Sequence, residues 1–303
     1  MTTGQPDWTQ RLREMIRAAC VWEASAHKPG NVHPGASFAD VRFEDFVRSA
    51  DVTAPVLAET AELGVGRAIR EAVSVTRRAV GRNTNLGIIL LIAPLAAVPQ
   101  SLTLAAGIED VLASLTVEDA RCCYEAIREA RPGGLGRAAQ QDVADPPSVT
   151  LREAMRQASD RDRIAAQYVN GFADVLQRGL PILESAGWHE RDGVADETAI
   201  IRLHLRLMSE LPDTLIARKC GPATAQESAL RAQRVLDAGW PDADAGRQEL
   251  VKLDHWLRGD GHRRNPGTTA DLVAAILFAA LRDGQIRLPA DEADPLPLSL
   301  RDT

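Results

Sequence analysis

"GIILLIAPLAAV", residues 87 to 98, is the longest apolar run in this 303-residue chain. It is too short to cross a bilayer, which takes about 20 residues. The run is apolar on every side, so as a helix it must be covered on every side. The flanking sequence supplies the cover. Upstream, residues 8 to 26 set Leu12, Met15, Ile16, Ala19 and Val21 at three- and four-residue spacing, the mark of an amphipathic helix. Residues 43 to 80 are rich in Ala and Val, with interruptions near Pro55 and Gly64-Gly66. Downstream, Thr116-x-x-Asp119 opens a helix over 116–130 as a capping box would. Helical patterns continue over 150–186, 196–211, 223–238, 245–258 and 268–283. No run alternates β-branched and aromatic residues, and aromatics make up 4% of the chain. The expectation is an all-α protein, a compact bundle of about ten helices around one buried central helix. It is read as a single domain over 1–303, with 131–147 a long surface loop and 284–303 a loose C-terminal tail.

Bulk properties narrow the function. A formal net charge of −7 and a pI near 5.5 argue against general affinity for nucleic acid or anionic membrane. They leave room for a local basic pocket. The four cysteines include an adjacent pair, Cys122-Cys123, and no CxxC, so neither a disulfide framework nor a zinc site is expected. The start, "MTTGQPDWTQ", lacks the basic and apolar regions of a signal peptide. The expected location is the cytoplasm.

Common nucleotide motifs are absent. "GLGRAA" from Gly134 fits G-x-G-x-x-A but follows a helical segment rather than a strand, which removes the dinucleotide reading. There is no GxxxxGK[ST] and no GxSxG. His27 and His33 flank a Pro-Gly turn with no third metal ligand nearby.

Four other stretches each set polar and turn-forming residues against an apolar helix. In "HKPGNVHPGASF", residues 27–38, Pro29 forces Lys28 into an extended backbone and Gly30 permits a sharp turn. A helix stop would explain the turn. A rigid loop presenting His27, Lys28 and Asn31 to an anion would explain the side chains too. In "GRNTNLG", Asn83, Thr84 and Asn85 are all competent N-caps before the apolar run, more than capping requires. The free N–H groups of a helix start favour anions such as phosphate. In "RRNPGTTADL", Thr268 and Asp271 fit a capping box, which leaves Arg263, Arg264 and Asn265 unexplained. In "LPDTLIARKCG", Asp213 and Thr214 precede Arg218 and Lys219, a carboxylate followed by a cation pair. A solvated helix or a base with a phosphate clamp would both read this way.

In this order, the four segments resemble the triphosphoribosyl-dephospho-coenzyme A synthases over roughly residues 10 to 283. That family carries a Lys-Pro-Gly after its first helix, as in Lys28-Pro29-Gly30. Its Gly-x-Asn-Thr followed by His-Lys-Gly is matched by Gly81, Asn83, Thr84 and Gly87, with Asn85-Leu86 in place of His-Lys. Its Asp-Thr segment is similar to Asp213, Thr214 and Arg218, and its late Ser-Pro-Gly-Gly-Ser-Ala-Asp-Leu helix start to Pro266, Gly267, Ala270, Asp271 and Leu272. After the Lys-Pro-Gly the family's His-x-Asp becomes Phe38-Ala39-Asp40.

The resemblance implies an all-helical enzyme that displaces adenine from ATP at the ribose C1′ with a hydroxyl of dephospho-coenzyme A. It implies Asp213 and Glu71 as base and cation stabiliser. His27, Lys28, Asn31, Arg67, Asn83, Thr84, Asn85, Arg218, Asn265 and Thr268 would bind substrate, and Asp40, Asp51 and Asp271 would bind Mg²⁺ or stand behind its ligands. ATP and a nucleotide-type acceptor are the expected partners. A related ribosyl or phosphoribosyl transferase for another cofactor, of the methanopterin or methylofuran type, and a helical nucleotide-binding module without chemistry are the alternatives.

Overall fold

The structure, a computed structural model, describes residues 7–133, 141–188 and 195–288. In chain order the helices are α1 Trp8–Ser25, α2 Phe43–Ala58, α3 Thr60–Leu63, α4 Val65–Val80, α5 Leu86–Ala96, α6 Leu104–Ser114, α7 Val117–Ala130 and α8 Leu151–Ala158. They continue as α9 Arg163–Asn170, α10 Leu180–Ser185, α11 Glu197–Glu210, α12 Thr214–Cys220, α13 Pro222–Asp237, α14 Asp244–Arg258 and α15 Gly267–Arg282. A π-helical segment, Asp174–Gly179, leads into α10, and a four-residue strand, Gly259–His262, follows α14.

The class is all-α, with fifteen helices among the described residues rather than about ten. The excess comes from the division of two long blocks and from α6 and α12, which lie outside the expected helical stretches. Residues 43–80 divide into three helices. Pro55 sits inside α2 without ending it, whereas Gly64, at φ +83, separates α3 from α4. Residues 150–186 divide where Asp162 caps α9 and where Gly171, at φ +67, ends it.

Every residue of α5 is buried, and α15, α4 and α2 cover it. Ile88, Ile89, Leu90, Leu91, Ile92 and Leu95 are all in the core. Each contributes roughly 1.5–3 kcal/mol on burial, which outweighs the cost of about 3 kcal/mol for Pro94 inside the helix. The capping box at the start of α7 forms as its sequence predicts. Thr116 N donates to Asp119 Oδ2 (2.8 Å) and Asp119 N to Thr116 Oγ1 (3.1 Å). Asp119 also accepts from Gly66 N at 2.8 Å, which ties α7 to α4.

Residues 131–133 and 141–147 are non-helical, and 134–140 lie outside the described residues. Ile286, expected in a loose tail, is packed into the core, and 289–303 lie outside the described residues. No helix among the described residues is long and apolar enough to cross a membrane.

Candidate functional site

The starts of α5 and α15 meet the end of α1 around a cavity of about 590 Å³. The end of α7, with α8, α9 and α12, closes the other side. All four polar segments reach this hollow, the first three through Asn31, with Asp40 just beyond its segment, through Asn83, Thr84 and Asn85, and through Asn265, Thr268 and Asp271. The fourth contributes Arg218 and Lys219.

Each local geometry has a cause. Asn83 Oδ1 accepts from Leu86 N at 3.0 Å and so covers a free donor at the start of α5. Thr84 Oγ1 bonds Ser49 Oγ at 2.5 Å on α2. Asn85 is buried and accepts from Thr76 Oγ1 at 3.2 Å. Asn31 Nδ2 donates to Asn265 Oδ1 at 2.7 Å and joins the loop after α1 to the one before α15. Gly30, at φ +76, lets that loop lie on α14, where its N–H donates to Asp254 Oδ1 at 2.8 Å. A Cβ on Gly30 would fall 2.8 Å from Leu257 Cβ. Asp40 stands at the exposed edge of the cavity, paired with His262 Nδ1 at 3.1 Å.

Six expected site residues do not line the cavity. Arg67 and Glu71 are exposed on α4. Asp51 is ion-paired with Arg17 at 2.7 Å. His27 lies against His33 with 4.3 Å between ring centres and the rings tilted by 52°, and its Nδ1 meets Glu197 Oε1. Asp213 is a structural staple. Its Oδ1 accepts from Leu215 N and Ile216 N (2.8 and 2.9 Å), capping α12, and its Oδ2 accepts from Thr269 N and Oγ1 (2.8 and 2.9 Å) on α15. Burial pushes its carboxyl upward while these bonds pull it down.

Lys28 is fully buried behind the cavity wall. Its Nζ lies 3.0 Å from Glu23 Oε1 and also donates to the carbonyls of Glu23 and Ala26. Glu23 lines the cavity. The cation therefore holds a carboxylate in place instead of meeting a ligand. Sequence reasoning passed over Glu23; its signal is one acid in the apolar last turn of α1, five residues before Lys28.

Asp271 is the second carboxylate in this wall. Its helix starts at Gly267, with Pro266 as N-cap and no side-chain cap bond, so the capping box expected for Thr268 and Asp271 does not form. No hydrogen bond or ion pair reaches Asp271 among the described residues. It is half-buried and lines the cavity. Burial, then the fields of Glu23, Asp213 and Asp162, raise its carboxyl well above the usual range, with Arg218 opposing. An Asp whose folded value is raised loses stability as pH climbs from about 3.9, where the unfolded chain ionises, to the folded value. Asp271→Asn is therefore expected to melt at a higher temperature than the wild type at neutral pH. The margin should grow with pH from about 4, and equal melting temperatures at pH 5 and 8 would contradict this.

The cavity also carries cations. Arg82 and Arg131 are exposed and Lys219 is half-buried, and none of the three side chains has an ion-pair partner among the described residues. Arg218 is committed to Asp162. The expected metal ligands Asp40, Asp51 and Asp271 do not come together, and no group of three His, Cys, Asp or Glu residues among the described residues is placed to hold a metal ion.

A helical bundle with a cavity that joins two acids to cations without ion-pair partners among the described residues has the form of an enzyme for an anionic small molecule. Residues 9–288 match the profile of the CitG family, ATP:dephospho-CoA triphosphoribosyl transferase, and the chain belongs to it. A Pseudomonas fluorescens Pf-5 protein is 34% identical over 154 residues, covering 50% of this chain and 49% of the relative. One from Pseudomonas syringae pv. syringae B728a is 31% identical over 163 residues, covering 52% and 51%. Both are provisionally named 2-(5''-triphosphoribosyl)-3'-dephosphocoenzyme-A synthase. The chain spans about half the length of the curated relatives it matches. A solved structure from Archaeoglobus fulgidus, provisionally titled triphosphoribosyl-dephospho-coA synthase, is 25% identical with a TM-score of 0.59, over 78% of this chain and 98% of that one.

Proposed function

We propose that this chain transfers the triphosphoribosyl group of ATP, displacing adenine at ribose C1′ by a hydroxyl of a nucleotide-type acceptor such as dephospho-CoA. The observation that carries the reading is the meeting, in one cavity, of two acids, buried Glu23 and half-buried Asp271, with Arg82, Arg131 and Lys219, cations that have no ion-pair partner among the described residues. Departure of a base from C1′ passes through a cation-like sugar, as glycoside cleavage does. A carboxylate fixed beside that centre, as Glu23 is by Lys28, stabilises the charge as it develops. Arginine and lysine side chains without protein partners suit the oxygens of a triphosphate. Magnesium enters this reading as part of the ATP substrate, since it binds through one or two carboxylates and phosphate oxygens. The ATP supply makes the cytoplasm the expected location.

The test is adenine release. Incubation with ATP, magnesium and dephospho-CoA is expected to liberate one adenine per acceptor consumed, with none liberated when the acceptor is left out. Release of ADP or AMP without free adenine would sink the proposal, and tight ATP binding without any turnover would favour a binding module.

One observation favours a second acceptor. Where the family has His-Lys, this chain has Asn85, bonded to Thr76, and Leu86, which turns an apolar side chain to the cavity. An acceptor of another cofactor pathway would fit the loss of an imidazole and a cation. Running the same assay with pterin- or furan-bearing alcohols in place of dephospho-CoA separates the two.

A further inference from the structure

Resting on that reading of the reaction, we propose that Asp271 protonates the departing base and that Glu23 accepts the proton of the attacking hydroxyl. Gly87, in the first turn of α5, faces Asp271; a Cβ there would intrude on the Asp271 carboxylate and lie 2.6 Å from Ile164 Cδ1. The start of α5 is thus cut away where the carboxyl group sits. Asp271 has no structural use to account for that. It caps no helix and holds no ion pair among the described residues, and Arg218 pairs through Nη1 with Asp162.

The charged groups whose fields reach Asp271 come from three elements packed against α15. They are Glu23 at the end of α1, Asp162 at the N-cap of α9, and Asp213 and Arg218 at the two ends of α12. Three of the four are acids. Of these charges Glu23 bears on it most strongly. A carboxyl group so surrounded keeps its proton, whereas Glu23 has the Lys28 ammonium at 3.0 Å. Two acids in one cavity with opposed surroundings form the arrangement that separates a proton donor from a proton acceptor.

The step balances. The C1′–N9 bond breaks and its electron pair leaves with adenine, while the Asp271 proton passes to a ring nitrogen of that base. The acceptor oxygen bonds C1′ and its proton passes to Glu23. Glu23 then returns a proton to solvent and Asp271 takes one up, which restores both groups.

The test uses Asp271→Asn and Glu23→Gln with two donors: ATP, and an ATP analogue methylated at N7. The methylated ring already carries a positive charge and leaves without a proton. On ATP, Asp271→Asn is expected to release adenine about 100-fold more slowly or worse, with ATP binding measured by equilibrium dialysis changed by no more than about threefold. On the methylated donor the same variant should approach the wild-type rate, and Glu23→Gln should stay slow on both. The wild-type rate on ATP should fall at high pH, and that fall should be missing with the methylated donor. Equal slowing of Asp271→Asn on both donors would reduce Asp271 to a structural residue and overturn the assignment, as would full activity on ATP. A wild type that releases no adenine from ATP with any hydroxyl acceptor would instead remove the underlying reading of function.

Discussion

Lys28→Met is expected to cost about 3–5 kcal/mol of stability, the range for breaking a buried ion pair from one side. Lys28 has no exposed surface and Glu23 is 4% exposed. Methionine replaces the apolar stem but not the ammonium. Glu23 would be left enclosed without its counter-charge, and the carbonyls of Glu23 and Ala26 would lose a donor. Urea denaturation gives the size. The double variant Glu23→Gln, Lys28→Met should recover much of the loss, because most of it is the cost of an uncompensated charge and not the worth of the pair. A single-variant loss below about 1 kcal/mol would mean that water reaches Glu23 through the cavity and screens it.

Gly87→Ala is expected to reverse the usual sign of that substitution. Glycine to alanine inside a helix normally gains up to about 1 kcal/mol. Here the added methyl meets the Asp271 carboxylate and Ile164 Cδ1. Overpacking of this kind costs about 1–3 kcal/mol, and it turns Asp271 out of place. Adenine release should drop about 100-fold or more, on the scale of one lost proton-transfer group. Adding Asp271→Ala should return part of the stability, since one of the two obstacles is gone, without returning activity. A Gly87→Ala protein more stable than the wild type and fully active would show that the α5 start and the α15 start stand further apart than described.

The two predictions mark how far the sequence could be read. The turn at 27–38 was legible as a rigid feature, and Lys28 stood out within it. Its direction was not legible. An ammonium beside an apolar helix can face a ligand or an acid of its own chain, and only Glu23, on the preceding turn of α1, decides between them. Asp213 shows the same limit. A carboxylate ahead of Thr214 and Arg218 reads as a base or as a cap, and the cap is tied to a partner 56 residues away, Thr269. Asn83, Thr84, Asn265 and Thr268 were legible as cavity residues because each sits at a helix start beside an apolar helix, where backbone donors and small polar side chains collect.

What the sequence determined by itself is the all-helical class and the burial of α5. A segment apolar all round has no face to give to water, whatever surrounds it. It also carried the family resemblance, since those motifs are runs of adjacent residues. Only the tertiary structure decided which carboxylates face the cavity. An acid's role depends on what comes within hydrogen-bonding reach of it and how much water is left, and both are set by helices distant in the chain.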